Sequence, residues 1–274
     1  MNGAESLVAT LAASGVNTCF ANPGTSEMHF VAALDRVPGV RCVLTLFEGV
    51  ATGAADGYWR MAGKPAATLL HLGPGLANGS ANLHNAGKAL SGILNVVGDH
   101  ATWHVVHDSP LRSDVEGVAR PFSHWVRTVG DAADVARAAA EAVAATRRGA
   151  HGAIATLVLP ADTAWSQGGA LEKAPPPQAA LAPGADAVAN AAAALRRGAG
   201  ATLLLGGPCM ADPVALALAA AIARHCGCEL LSEFYSARIA AGRGRVRIER
   251  LPYAVDAAVP RLAATRRLVL AGAV

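Results

Sequence analysis

Short apolar runs alternate with helix-like segments through the first 160 residues of the chain. The apolar runs predict strands over residues 17–21, 41–46, 66–72, 93–98 and 151–160. The segments between them predict helices over residues 6–14, 26–36, 48–61, 76–90 and 131–147. Continuous apolar strands that alternate with helices are typical of a parallel sheet covered on both faces. We therefore predict an α/β fold, a parallel sheet flanked by helices.

A change of composition follows this first region. Residues 166–182 contain paired glycines and three consecutive prolines, which predict a linker. Beyond it, helices are predicted over 186–197 and 213–225, and strands over 201–205, 229–232 and 267–271. A parallel strand normally continues into a covering helix, but the sequence stops three residues after the predicted strand 267–271. The pattern predicts a first domain over 1–165, the linker 166–182, and an incomplete second α/β domain over 183–274.

Composition narrows the class of protein. Hydrophobic residues make up 53% of the chain and charged residues 16%, but no window is apolar for eighteen residues, so we predict no membrane span. The first ten residues include an acid and lack a basic region, unlike a signal peptide, which predicts a cytoplasmic protein. Five cysteines without paired spacing argue against a disulfide framework. A net charge of +3 without interleaved aromatics gives no support for a nucleic-acid partner.

Three predicted loops carry the candidate chemistry, and each follows one of the first three strands. The carboxyl ends of parallel strands meet at one edge of a sheet, which is the usual place for ligands. Glycines in these loops allow close approach of a flat ligand, and the polar side chains offer a hydroxyl, a carboxylate, an imidazole and an amide. The relevant residues are Asn22, Pro23, Gly24, Thr25, Glu48, His71, Gly73, Pro74, Gly75 and Asn78.

Simpler interpretations of these residues remain open at this point. Glu48 could complement a helix dipole, and Asn22 or Thr25 could cap a helix. A lone His71 at a strand end could be structural. The Gly-x-Gly turn lacks a full dinucleotide fingerprint, which disfavours a dinucleotide-dependent oxidoreductase. Four further histidines between residues 100 and 124 lack the spacing of a metal-binding helix, so no metal site is predicted.

Three motifs in order resemble one family. The segments PGTSE, FEGVATGAADGYWRMAGKPA and LHLGPGLAN are similar to the pyrimidine-binding domain of thiamine diphosphate enzymes. The most similar groups are the acetolactate synthase-like proteins and benzoylformate decarboxylase. The resemblance covers residues 1–165, and the part after residue 183 resembles the start of the family's central domain, with the segment LLLGGP.

The resemblance implies roles for individual residues. Glu48 matches the glutamate that hydrogen-bonds N1′ of the cofactor's pyrimidine. Thr25 matches a serine whose hydroxyl meets the substrate carboxylate, although Thr25-Ser26 departs from the family's Ser-Asn. His71 matches a proton-relaying histidine of benzoylformate decarboxylase that acetolactate synthases lack. The implied catalytic residues are thus Glu48, His71 and Thr25, and the implied cofactor-binding residues are Glu48, Asn22, Pro23, Gly24, Gly73, Pro74, Gly75 and Asn78.

The resemblance also implies partners and a cofactor. The chain would be the N-terminal portion of a thiamine diphosphate-dependent 2-oxo acid decarboxylase, a lyase, or of an acetolactate synthase-like carboligase, a transferase. Magnesium would be held with the diphosphate by a domain whose Gly-Asp-Gly motif this chain lacks, so the chain alone would be inactive. A homodimer or homotetramer, or a separate C-terminal diphosphate-binding chain, would complete the site. The alternative is a non-catalytic cofactor-binding or assembly subunit. Some family members carry FAD, which this sequence does not support.

Overall fold

The computed structural model describes residues 1–148, 151–179 and 181–273. The chain divides into two compact units, Met1–Ala180 and Leu181–Val274. The predicted end of the first domain at residue 165 and the predicted start of the second at residue 183 stay predictions.

The first unit alternates helices and strands. Its helices are α1 (Gly3–Ala13), α2 (Met28–Arg36), α3 (Glu48–Ala62), α4 (Leu72–Lys88), α5 (Val115–Ala119), α6 (Val135–Ala145) and α7 (Ala161–Trp165). Its strands are β1 (Thr18–Asn22), β2 (Arg41–Leu44), β3 (Ala66–Leu70), β4 (Ile93–Asp99), β5 (Trp125–Thr128), β6 (Arg147–Arg148), β7 (His151–Gly152) and β8 (Ile154–Pro160). Short 3₁₀ turns lie at Thr25–Glu27, Val105–His107 and Ala132–Asp134.

Six of these strands form one parallel sheet in the order β2-β1-β3-β4-β8-β5. Strand β1 lies between β2 and β3, with Ala21 opposite both Leu44 and Leu69. The two-residue strands β6 and β7 pair antiparallel outside this sheet. The predicted parallel α/β fold is confirmed.

Apolar side chains cover both faces of the sheet. On one face, α1 and α6 bury residues such as Leu7, Leu11 and Val143. On the other face, α3 and α4 bury Ala55, Leu76 and others. Helices α3 and α4 approach closely because α4 carries Gly79, where a Cβ atom would lie 2.8 Å from Thr52. The Thr52 hydroxyl also donates to the Gly79 carbonyl at 3.1 Å, which fixes α3 against α4.

The second unit contains a smaller parallel sheet. Its strands are β9 (Ala201–Leu205), β10 (Glu229–Ser232), β11 (Glu249–Arg250) and β12 (Arg267–Ala271), in the order β11-β10-β9-β12. Its helices are α8 (Ala185–Leu195), α9 (Gly207–Ala211), α10 (Pro213–Cys226) and α11 (Val255–Leu262). Leu203, Leu205 and Leu216 are central to its core. Across the described parts of both units, no helix combines the length and the apolar character needed to cross a membrane.

Several element boundaries differ from the sequence pattern. Helix α1 begins at Gly3 because Asn2 accepts from the Glu5 N–H at 2.8 Å, and the Asn2 N–H donates to the Glu5 carboxylate at 3.1 Å. Helix α4 begins at Leu72, so the Gly-Pro-Gly turn lies inside its first turn. A proline is tolerated there because early helical N–H groups have no partner within the helix. Residues 99–125, for which the sequence pattern predicted no helix or strand, contain α5 and the start of edge strand β5.

Part of the predicted linker packs against the first unit. The Ser6 hydroxyl donates to the Ala170 carbonyl at 2.6 Å, and the Ala174 N–H donates to the Ser14 hydroxyl at 2.9 Å. Ala174 is buried in the core beside α1. Residues 169–174 therefore belong structurally to the first unit, although their glycine- and proline-rich composition is typical of a spacer.

Candidate active site at the carboxyl edge of the first sheet

The three candidate loops lie side by side. Strands β2, β1 and β3 are neighbours and parallel, so their carboxyl ends at Leu44, Asn22 and Leu70 share one edge of the sheet. The loop with Gly24 and Thr25 follows β1, the segment leading to Glu48 follows β2, and His71 follows β3. The topology therefore brings together three segments that are far apart in the sequence.

Glu48 is the first residue of α3 and is 8% exposed. Its Oε2 atom accepts a hydrogen bond from the Asn78 amide at 3.0 Å. Its Oε1 atom takes no hydrogen bond from the residues that the structure describes, and it lies against Gly75, where a Cβ would be only 2.9 Å away. Glu48 is thus a largely buried carboxylate whose Oε2 atom is held by Asn78 and whose Oε1 atom lies against Gly75.

The first turn of α4 forms the wall next to Glu48. Gly75 has no side chain, and this permits the close approach of the carboxylate. Gly73 lies against the Ser113 side chain in the same way, so a larger residue at this position would collide with the loop before α5. Pro74 is exposed between them. The two glycines allow α4 to begin between Glu48 on one side and the 109–114 loop on the other.

Asn22 and Gly24 are occupied with local structure. The Asn22 amide donates to the Thr45 carbonyl at 2.7 Å and so joins the end of β1 to the segment after β2. The Gly24 N–H donates to the Glu27 carboxylate at 2.7 Å. These bonds fix the loop on which Pro23 and Gly24 lie, and through Thr45 they fix the approach to Glu48.

Thr25 and His71 lie on neighbouring loops. Thr25 is exposed and begins the 3₁₀ turn Thr25–Glu27. His71 is partly buried, and its Nδ1 atom lies 2.8 Å from the Glu27 carboxylate. Among the described residues, no hydrogen bond joins Thr25 to Glu48 or to His71. Glu48 is held by Asn78 and His71 by Glu27, so these two titratable groups have separate partners.

Glu27 is the site residue to which the sequence reasoning assigned no role. Its side chain is 1% exposed and bonds both Gly24 and His71. The signal was present in the motif PGTSE, which ends in this acid. Its burial depends on contacts with residues 44 or more positions away, which a local pattern does not reveal. The loop residue Ser113, which meets Gly73, was missed for the same reason.

A further acid lies at the same edge of the sheet. Burial raises the pKa of the Asp99 carboxyl at the end of β4, and the His100 N–H, the His100 side chain and Arg112 oppose that shift.

Three histidines after β4 lie close together. The ring centroids of His100 and His104 are 5.9 Å apart, and those of His104 and His107 are 5.4 Å apart. Among the described residues, no group of three or more His, Cys, Asp or Glu side chains has an arrangement that could hold a metal ion.

The fold and this edge define an α/β domain that presents a buried carboxylate and a glycine-rich helix start at adjacent strand ends. Residues 1–117 match the family model described as thiamine pyrophosphate enzyme, N-terminal TPP binding domain. This part of the chain therefore matches the N-terminal domain of thiamine diphosphate-dependent enzymes, and acetolactate synthase-like and benzoylformate decarboxylase proteins are among the chain's relatives.

Individual relatives extend the comparison. A candidate acetolactate synthase large subunit, IlvX of Mycobacterium tuberculosis, is 53% identical over 273 residues, which is 100% of this chain and 52% of IlvX. Benzoylformate decarboxylase of Pseudomonas aeruginosa is 32% identical over 130 residues, which is 47% of this chain and 24% of that enzyme. The chain therefore spans about half the length of IlvX and a smaller share of the decarboxylase.

A solved structure supports the architecture of the whole chain. A candidate thiamin diphosphate-dependent enzyme from Mycobacterium smegmatis matches with a TM-score of 0.77 at 24% identity. The match covers 98% of this chain and 52% of the other. At this identity the match shows the fold alone, and it includes the second, smaller parallel sheet.

Proposed function

We propose that this chain supplies the pyrimidine-binding half of a thiamine diphosphate-dependent site that decarboxylates a 2-oxo acid or joins it to a second carbonyl compound. The observation that carries the proposal is the environment of Glu48. Its carboxylate is buried, held by Asn78 through Oε2, and seated against Gly75 with Oε1 unpaired by the described residues. A carboxylate so placed fits a ring nitrogen that must share a proton.

The residues present fit the cofactor's pyrimidine in two respects. Glu48 offers a fixed acceptor oxygen, and Gly75 leaves room beside it that a Cβ would occupy. Thiamine diphosphate, when bound, supplies the electron sink for cleavage next to a carbonyl group. The task of Glu48 is to hold a proton at the pyrimidine N1′ atom, and the task of Asn78 is to orient the carboxylate. His71 and the exposed hydroxyl of Thr25 would meet the substrate on the neighbouring loops.

A second surface must complete this site. Leu46, Phe47 and Val50 surround the start of α3, and they are 96%, 47% and 55% exposed. Contiguous exposed apolar side chains next to a functional group are typical of a protein contact. We propose that a diphosphate-binding domain covers them and holds Mg²⁺ with the diphosphate. That domain would come from a longer form of this protein, through a second copy in a homodimer or homotetramer, or from a separate C-terminal chain.

The carboxylate role is tested in the assembly that contains both halves of the site. Glu48→Gln keeps the size and an acceptor oxygen but removes the shared proton, so turnover of a 2-oxo acid should fall by roughly 10² or more, the usual range for general acid–base groups. The matched control is Glu172→Gln, an exposed glutamate on the segment after α7. Unchanged turnover in Glu48→Gln would refute the role of Glu48.

Calorimetry tests whether the diphosphate-binding half of the site lies outside this chain. The 274-residue chain should bind thiamine diphosphate with Mg²⁺ weakly by itself, because the diphosphate carries most of the charge that a cation must neutralise. Tight binding by the chain alone would contradict the proposal of a separate diphosphate-binding half. Binding without any turnover in the completed assembly would favour the non-catalytic alternative, in which the exposed apolar residues serve assembly only.

A further inference from the structure

We propose that Glu27 is a positioning residue that keeps a proton on His71 Nδ1, so that Nε2 is the nitrogen that exchanges a proton within the site. The function of that exchange rests on the proposed function above. The position of the proton rests only on the contacts of these two residues.

The geometry joins a buried acid to a partly exposed base. Glu27 Oε2 lies 2.8 Å from His71 Nδ1 and 2.7 Å from the Gly24 backbone nitrogen. The Glu27 side chain is 1% exposed, whereas that of His71 is 24% exposed. The acid thus lies beneath the imidazole, and the imidazole reaches the solvent side of the loop cluster.

The ring nitrogen of His71 that carries the proton follows from the fact that a carboxylate accepts hydrogen bonds. An ionised carboxylate can only accept hydrogen bonds, so the nitrogen facing it must carry the proton. A hydrogen bond at one ring nitrogen determines the role of the other. His71 Nε2 has no hydrogen-bond partner among the described residues, so it accepts a proton when the ring is neutral and donates one when the ring is charged.

The backbone around the pair is shaped to permit the contact. A Cβ atom at Gly24 would overlap the His71 ring, and one at Gly98 would overlap Glu27 Oε1. Leu72, next to His71, has a φ of 54°, a left-handed conformation that a non-glycine residue adopts only when its surroundings enforce it. Two side-chain-free positions and one strained residue therefore converge on this single pair.

A simple helix cap does not require this arrangement. Glu27 does accept from the Gly24 N–H at the start of its own 3₁₀ turn, but an exposed acid could do the same. Instead, Glu27 Oε1 is buried and has no hydrogen-bond partner among the described residues. It lies beside a cavity of about 10 Å³ that is bordered by Phe30, Leu69 and Val96. An unpaired buried oxygen is costly to stability. The burial is explained if the carboxylate is needed to accept the hydrogen bond from His71 Nδ1.

The proton position can be measured in the 274-residue chain without cofactor. Long-range ¹H–¹⁵N correlation spectra of the ¹⁵N-histidine-labelled protein resolve which ring nitrogen is protonated, and His71→Asn identifies the His71 signal among the nine histidines. Neutral His71 should carry its proton on Nδ1. Finding Nδ1 unprotonated in the unmodified chain would overturn the proposal without any variant at Glu27.

Two substitutions separate the acceptor from its charge. Glu27→Gln retains an oxygen that can accept from both Gly24 and His71, so the proton should stay on Nδ1. Glu27→Leu removes the acceptor, so the predominant neutral form should become the one protonated on Nε2. Glu172→Leu is the matched control, and the other eight histidine signals report whether each variant keeps the native fold. An Nδ1-protonated majority in natively folded Glu27→Leu would refute the proposal.

The functional part of the proposal is tested by a double-mutant cycle in the completed assembly. In Glu27→Gln the hydrogen bond from His71 Nδ1 goes to a neutral oxygen and is weaker than one to a carboxylate, so this variant should lower kcat roughly tenfold to a hundredfold and leave KM within about threefold. The same change in the His71→Ala background should have no further effect. Additive losses would show that Glu27 does not act through His71. Unchanged turnover in Glu48→Gln would instead refute the proposed function and leave the spectroscopic result standing.

Discussion

A single methyl group at Gly75 should displace Glu48. In Gly75→Ala, the new Cβ would lie 2.9 Å from Glu48 Oε1, where ordinary contact begins at about 3.4 Å. The carboxylate must therefore move by about 0.5 Å. That movement strains its hydrogen bond from Asn78, which is 3.0 Å long in the native geometry.

The expected free-energy change combines two opposing effects. Replacing glycine by alanine within a helix stabilises by about 0.5–1 kcal/mol. Losing a hydrogen bond to a charged group costs about 1.5–3 kcal/mol. Gly75→Ala should therefore lower the free energy of unfolding by roughly 0.5–2.5 kcal/mol. Gly57→Ala is the matched control, because Gly57 also lies within a helix, α3, and a Cβ there meets nothing within 4 Å; it should stabilise.

Urea unfolding followed by tryptophan fluorescence measures both variants. All four tryptophans, at positions 59, 103, 125 and 165, belong to the first unit, so the signal reports on that unit. In the Asn78→Ala background, Gly75→Ala should destabilise less because the bond is already absent. If Gly75→Ala stabilises as much as Gly57→Ala, the described seat of Glu48 is wrong.

Two further predictions follow from titratable groups. Burial raises the pKa of Asp99 above its ordinary value of 3.8, so the folded state favours the protonated acid and loses stability as the pH rises from that ordinary value through the raised pKa. The stability of Asp99→Asn relative to the unmodified chain should therefore increase as the pH rises above 3.8. A difference in urea midpoint that does not change with pH would contradict this. Burial raises the pKa of the Cys19 thiol well above its usual range, while Cys42 is exposed. At about pH 8 a thiol reagent should modify Cys42 in the folded chain and Cys19 only on unfolding, as peptide mapping would show; equal rates would argue against the burial of Cys19.

The order of elements in the first unit follows from the sequence. Apolar runs, helix-forming segments and glycine-rich turns are local signals, and they placed β1, β3 and β4 within about two residues of their observed bounds. The same local signals singled out Glu48 at the start of a helix and His71 at the end of a strand. Short elements with weak periodicity, such as α5 and β5, were not predicted because four or five residues carry too little pattern.

Pairwise contacts within the candidate site were decided by the tertiary structure. The order β2-β1-β3 brings the three loops to one edge, and this order depends on which strands pair across the chain rather than on the sequence of any one strand. Asn22, expected to contact the cofactor, is used to hold Thr45. Glu27 is buried beneath His71, 44 residues away.

The sequence by itself therefore indicated the family resemblance, the α/β class and the acid that carries the proposed chemistry, because short motifs and local patterns are enough to recognise them. Only the tertiary structure decided how that acid is seated and which other acid supports the histidine. Contacts such as Glu48 with Gly75, or Glu27 with His71 and Gly98, join residues from separate strands and helices. They exist only after burial of the two apolar faces of the sheet has fixed those elements against one another.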